Sequence, residues 1–283
     1  MVAFLGMGLL GSNFVRAMIK KGAQVNVWNR TASKAKALEQ YGAKAFENIA
    51  DAVKDAGVIH VTLKDDDTVN EVLEMIKPAL KTGATIIDHT TTSANGAIER
   101  TKYWKELGFT YLHAPVFMGP QNALESTGYM LVSGDQEVIR KWQQELAKMT
   151  GKVINFGEEE GRAAAMKLIG NSFLVAFTAG IVDALALGKA QNVPVSDIAT
   201  LFDSWNPAAM LPARLQRVSG GKYDNPSWEL SMARKDTQLF MNAADAAGVN
   251  LVVIPSIAKQ MDKWIEKGFG NSDWTIIGKD VAG

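Results

Sequence analysis

Short runs rich in Val, Ile and Leu alternate with longer mixed stretches through the first half of the chain. The runs at residues 2–5, 24–28, 58–63, 84–88, 110–112, 129–132 and 152–155 read as strands. Between several of them, residues 10–21, 33–41, 68–80 and 93–107 carry apolar positions at helical spacing. Strand–helix alternation of this kind predicts a mostly parallel sheet covered on both faces, and right-handed crossovers make it doubly wound. After about Phe156 the strand pattern stops. Residues 160–191, 195–205, 231–247 and 253–267 read as helices, punctuated by Gly220-Gly221, Pro207, Pro212 and Pro226. The stretch 160–191 is long for a globular helix and apolar on more than one face, as in a helix packed between partners. These changes place a boundary near residue 157, with an α/β domain over 1–157 and an all-α domain, led by a long interdomain helix, over 158–283.

Composition narrows the function classes. The 283 residues are 47% hydrophobic and 21% charged, enough apolar material for two folded domains. Lys plus Arg and Asp plus Glu number 30 each, so no net field favours nucleic acid or a membrane surface. Any anion site must be local. The absence of cysteine excludes disulfides, thiol chemistry and Cys-ligated metal. His60, His89 and His113 stand singly, without metal-ligand spacing, and no metal is expected. No basic leader precedes Val2, and no run of about 18 apolar residues is visible, so a cytoplasmic protein without a membrane span is expected.

The first strand is followed at once by Gly6-Met7-Gly8-Leu9-Leu10-Gly11, which opens the first helix. A G-x-G-x-x-G between a strand and a helix is the context in which the motif means dinucleotide binding, in a Rossmann-type domain. Gly6 permits the tight turn, Gly8 lets a pyrophosphate approach the backbone, and Gly11 lets the helix pack close. The helix N-terminus then offers free N–H groups to the phosphates. The second strand ends in Asn29-Arg30-Thr31, with Lys34 close behind. An acidic residue here would accept the ribose 2′-hydroxyl of NAD; Arg30 instead suits a 2′-phosphate, so NADP(H) is the expected cofactor.

With this turn, the Asn-Arg-Thr segment and the helical second half, the chain resembles the β-hydroxyacid dehydrogenases. That family includes 3-hydroxyisobutyrate dehydrogenase and tartronate semialdehyde reductase and is related to 6-phosphogluconate dehydrogenase. The resemblance implies hydride transfer between a nicotinamide and a carbonyl or alcohol, by a homodimer or tetramer. It places Leu63 and Lys64 on the adenosine side, the lysine standing where the family has proline. It places Thr91, in Asp88-His89-Thr90-Thr91, beside the nicotinamide ribose. Lys167 and Asn171 match the family's Lys-x-x-x-Asn, and Lys235-Asp236 matches a later pair whose lysine lies near substrate and nicotinamide. The substrate loop departs from the family. Where the family has Ser-Gly-Gly after Ala-Pro-Val, this chain has Phe117, Met118 and Gly119. A bulkier, more apolar substrate is therefore expected.

Reduction of a carbonyl needs a hydride donor at carbon and a proton donor at oxygen. Lys167, flanked by Met166, Leu168 and Ile169, is the expected general acid, with Asn171 on the same helix face. His89 and His113 follow strand ends near the expected cleft and are weaker candidates for substrate contact. Asp65-Asp66-Asp67 reads as a helix start with one aspartate as cap. Two other readings compete. The Asn-Arg-Thr segment and the bulky loop also resemble imine reductases, which generally lack a lysine at the position of Lys167. A non-catalytic dinucleotide-binding protein would keep the fold alone.

Overall fold

In a computed structural model, residues 1–281 are described. The chain divides into two compact units, Met1–Asn171 and the residues from Ser172 onward. The division falls inside the long helix, later than the change in pattern near residue 157. Periodicity marks where strands stop, whereas compactness follows the packing of the helix's first turns.

In the first unit β1 (Val2–Leu5), α1 (Leu9–Lys20), β2 (Val25–Trp28), α2 (Ala32–Lys36), β3 (Lys44–Ala45), α3 (Ile49–Val53) and β4 (Val58–Val61) lead into α4 (Asp66–Ile76), β5 (Thr85–Asp88), α5 (Ala94–Glu106) and β6 (Thr110–His113). All strands of this sheet are parallel, in the order β3-β2-β1-β4-β5-β6. That is the doubly wound dinucleotide-binding order, with its reversal at β1 and β4. Successive residues of β1 serve opposite faces. Phe4 joins a core with Phe14, Val15 and Ile87, while Ala3 and Leu5 join one with Ile59, Val69 and Leu73.

The strands expected at 129–132 and 152–155 exist but do not extend this sheet. After β7 (Val116–Phe117) and α6 (Pro120–Glu125), β8 (Tyr129–Val132), α7 (Gln136–Ala147) and β9 (Lys152–Asn155) complete a separate three-stranded sheet, β7-β8-β9, in which β7 is antiparallel to β8. A strand's own period gives no information about its lateral neighbour. The helix expected over 33–41 is broken into α2 and a 3-10 turn, Glu39–Tyr41. Asp65 caps α4, accepting from the Thr68 N–H at 3.0 Å, and Asp66 pairs with Arg100 at 2.8 Å.

The long helix is α8 (Arg162–Ala190). A window within it averages a mean hydropathy of 1.7, long and apolar enough to cross a membrane by composition, where the sequence pattern showed no such run. Scattered Gly, Ser and Thr interrupt the apolar run without lowering its average much. Two features tie the helix into folded protein instead. Ala163 and Ala164 near its start are buried. Asp183, 4% exposed, accepts the backbone N–H groups of Val252, Val253 and Ile254, the last two at 2.9 and 3.0 Å. The second unit continues with α9 (Val195–Ser204), α10 (Leu211–Ser219), α11 (Leu230–Ala246) and α12 (Ile254–Glu266), so the Asp183 charge sits at the N-terminus of α12, the favourable end of its dipole. Pro212, read as punctuation in the sequence, lies in the first turn of α10, where its missing N–H costs nothing. Tyr223, Leu230, Met261, Trp264 and Ile276 form the core of this unit.

Candidate active site

The turn after β1 is built by steric necessity. Gly6 has φ +99°, and a Cβ there would stand 2.0 Å from the Thr62 carbonyl oxygen. A Cβ on Gly11 would stand 1.9 Å from the Gly6 oxygen. At Gly8 nothing lies within 4 Å of that position. The first and third glycines are thus demanded by packing, and the second leaves its backbone open to a ligand. Gly8 is also the N-cap of α1, whose first turn has no acidic residue and no side-chain cap. Its leading N–H groups are left for an anion.

A cleft of about 650 Å³ opens at the C-terminal ends of β1, β2 and β4. Gly6, Gly8, Leu9, Leu10, Asn29, Arg30, Thr31, Lys34, Leu63 and Lys64 line it, as the sequence predicts. Sequence reasoning missed the opposite wall. Thr68, Glu71, Val72 and Met75 line it from one face of α4, a spacing that was available as a signal. Trp28, Thr62, Met118 and Pro120 also line it. Arg30 and Lys34 have no ion-pair partner among the described residues, whereas Lys64 lies 3.2 Å from the Asp65 carboxylate. Of these two unpaired cations, Arg30 stands two residues beyond β2 and Lys34 on α2.

A polar relay ends on Leu63, which lines the cleft. The Asp66 carboxylate accepts from the Ser93 N–H and pairs with Arg100. Arg100 Nε donates to the Tyr111 hydroxyl at 2.9 Å, and that hydroxyl donates to Asp88 at 2.7 Å. Asp88, fully buried, accepts from the Thr90 N–H, and Thr90 Oγ1 accepts from the Leu63 N–H at 2.9 Å. Burial, then the Asp88 charge, pushes the Tyr111 hydroxyl well above the usual phenol range, so it stays a donor. Arg100 thereby offsets the buried Asp88 charge through one hydroxyl.

Lys167, 8% exposed on α8, has two neighbours of note. Its Nζ donates to Asn171 Oδ1 at 3.0 Å and lies 4.2 Å from the centroid of the Phe117 ring. No carboxylate pairs with it among the described residues. Burial pushes its pKa below the ordinary lysine value, while the ring's π face favours the ammonium. Gly170 makes room for the arrangement, since a Cβ there would stand 2.3 Å from Phe117 Cζ. Phe117 and Met118 diverge. One meets the lysine and the other, with Pro120, faces the cleft. The loop after β7 therefore stands between the ammonium and the cleft.

Comparison with known proteins agrees with this geometry. Residues 1–157 match the family described as the NAD binding domain of 6-phosphogluconate dehydrogenase. The chain belongs to the β-hydroxyacid dehydrogenase family. Residues 159–282 match the C-terminal domain described as NADPH-dependent reductive aminase-like. The chain is 24% identical to the uncharacterized oxidoreductase YfjR of Bacillus subtilis over 99% of both chains. It is 27% identical to the 3-sulfolactaldehyde reductase of Escherichia coli, over 99% of this chain and 95% of that one. The imine reductase from Myxococcus stipitatus, solved with NADP+, shares the fold at a TM-score of 0.91, with 22% identity over 99% of both chains. As a β-hydroxyacid dehydrogenase whose second domain matches the reductive aminase-like one, the protein is a pyridine-nucleotide oxidoreductase.

Several residues stand differently from expectation in this family member. Met7 is buried, and its N–H donates to Asn29 Oδ1 at 2.9 Å, so neither its side chain nor its N–H is free for phosphate. Asn29 is in turn a brace between β2 and the turn, with its Nδ2 donating to the Thr31 carbonyl. Gly11 packs on Gly6 and does not line the cleft. Thr91 is exposed beyond β5 and outside the cleft lining, because alternation buries Thr90 and Thr92 instead. The Gly119 N–H donates to Asn122 Oδ1 and caps α6, so it does not await a substrate. Met118 lines the cleft that the Gly-rich turn opens. Lys235 belongs to the second unit, where it is exposed and paired with Asp236 at 2.9 Å, a surface pair of small energetic weight. His89 and His113 are buried among backbone acceptors, His89 bonding the Ala114 carbonyl and His113 that of Thr90.

Proposed function

We propose that the protein is an NADP(H)-dependent reductase of carbonyl compounds, reversible on the corresponding alcohols, with Lys167 as its proton donor. The observation that carries this reading is the loop from Phe117 to Pro120, which has the buried ammonium against one residue and the dinucleotide cleft against the next. Gly8, with open space at its α-carbon, and the uncapped start of α1 suit the pyrophosphate. Arg30, Lys34 and the Thr31 hydroxyl suit a 2′-phosphate at the end of β2. When bound there, the reduced cofactor supplies a hydride to the carbonyl carbon. Lys167 gives its proton to the oxygen, and the neutral amine takes a proton back when the alcohol is oxidised. Asn171 fixes the lysine through its oxygen, and its Nδ2, without a partner among the described residues, is left to orient the substrate. The aromatic face beside Lys167 favours an uncharged, apolar substrate.

That same face, with the reductive aminase-like second domain, favours imine reduction as a second reading. Here Lys167 would keep the imine nitrogen protonated. A panel of succinic semialdehyde, glyoxylate, methylglyoxal, apolar aldehydes and a cyclic imine, followed by NADPH absorbance, separates the two. Apolar aldehydes are expected to be reduced fastest. A faster cyclic imine would transfer the assignment to imines, and cofactor binding with no turnover on any compound would leave a non-catalytic binding protein.

A homodimer is part of the proposal. Phe173, Leu174, Val175, Phe177, Ile181 and Val182 of α8 are all exposed in the single chain. A helix that is apolar all round is stable in water only when covered. A second copy presenting the same helix is self-complementary by symmetry. Light scattering at micromolar protein is expected to give the mass of a dimer or a higher assembly, and a monomer would remove this part.

A further inference from the structure

A second cavity lies at the other end of the strands from the dinucleotide cleft. It encloses about 490 Å³ between the starts of β1 and β4 and the helices α1 and α7. Phe14, Met18, Val58 and Met149 give it apolar walls. His60 on β4 and Trp142 on α7 line it as well, together with Lys21, Ser126, Glu145 and Lys148. Trp142 Nε1 is buried without a hydrogen-bond partner. His60 is 4% exposed, and only its Nδ1 is engaged, 3.0 Å from His89 Nε2.

The protons on this histidine pair follow from their partners. The Ala114 carbonyl can only accept, so His89 Nδ1, 2.8 Å away, carries a hydrogen. In its neutral form His89 Nε2 is then an acceptor, and His60 Nδ1 must donate to it. Burial lowers both groups, His89 to about 4 and His60 well below the ordinary histidine value, so both rings are neutral. His60 Nε2 is left as a bare lone pair. Phe4 stacks on both rings, with centroids 5.6 Å from His60 and 6.4 Å from His89, and holds them in place. The cavity thus presents one neutral acceptor, His60 Nε2, unpaired among the described residues. The cation at its mouth, Lys21, is already engaged by Ser126 Oγ and the Lys148 carbonyl, and the Lys148 ammonium is paired with Glu145 at 2.6 Å. Neither lysine makes the interior a site for charge.

We propose that this cavity is a second ligand site, for a small uncharged hydroxylated aromatic compound whose O–H donates to His60 Nε2. The aromatic body lies against the apolar walls, and the hydroxyl gives His60 Nε2 the partner that the fold does not supply. None of these residues lines the dinucleotide cleft, so the site is independent of the catalytic reading.

Phenol and toluene, nearly equal in shape, test it by ligand-detected NMR and calorimetry on the full chain, with and without saturating NADPH. Phenol is expected to bind once per chain in both conditions, about tenfold tighter than toluene, the difference that one hydrogen bond makes. His60→Phe is expected to remove most of that preference while NADPH affinity is kept. If that variant does not fold, Val58→Phe, which fills space at the start of β4, must weaken phenol binding instead. Displacement of phenol by NADPH, equal binding of phenol and toluene, or no binding at millimolar concentration would each overturn the proposal, the last leaving a cavity that holds water only.

Discussion

Replacing Lys167 by alanine is expected to lower the rate of carbonyl reduction by about a hundredfold or more, with NADPH affinity changed by less than about twofold. The lysine touches Phe117 and Asn171 but is not part of the dinucleotide cleft lining, so its loss removes an acid without removing a cofactor contact. The pH dependence provides a second check. Burial lowers the lysine's pKa, and reduction consumes the ammonium form, so the reductive rate should fall as pH rises through that lowered value. Oxidation needs the free amine and should rise over the same range. Lys167→Arg, which keeps a charge that does not titrate, should lose this limb. A mutant that retains the wild-type profile would show that the proton comes from another group.

Arg30→Ala should weaken NADPH by about ten- to a hundredfold and leave NADH nearly unchanged. The reasoning is electrostatic. Arg30 and Lys34 line the cleft just beyond β2 with no carboxylate paired to them among the described residues, and no acid replaces them to accept a ribose hydroxyl. A doubly charged 2′-phosphate meeting a planar guanidinium gains two parallel charge-assisted bonds that NADH cannot form. Arg30 is exposed, so the difference should shrink in high salt. Binding measured by titration calorimetry for both cofactors decides it, and equal weakening would remove the 2′-phosphate from this position.

Much of the first unit was legible in the sequence. Five of the six strands of the parallel sheet, the Gly-rich turn, the cleft residues that follow β1 and β2, and the pairing of Lys167 with Asn171 follow from short-range patterns, whereas the two-residue edge strand β3 is too short to leave one and Leu63 and Lys64 came from the family resemblance. The far wall of the cleft was missed although Thr68, Glu71, Val72 and Met75 share one helical face, because nothing local says which face looks inward. The second sheet was missed because β8 and β9 carry the same period whichever sheet they join. Asp183 could not be read as the partner of Val252–Ile254 across so long a sequence separation.

The sequence alone determined what depends on covalent geometry and local sterics. Only glycine tolerates the φ of Gly6 and the contact at Gly11, and the sequence itself puts Arg30 two residues after β2. The tertiary structure decided which of two adjacent side chains does what. Asn29 spends its amide on the turn, Met118 closes the cofactor cleft, and Phe117 lies against the lysine. Those outcomes depend on how β7 is paired and how α8 packs against it, contacts between residues far apart in the chain. No short window of sequence contains them.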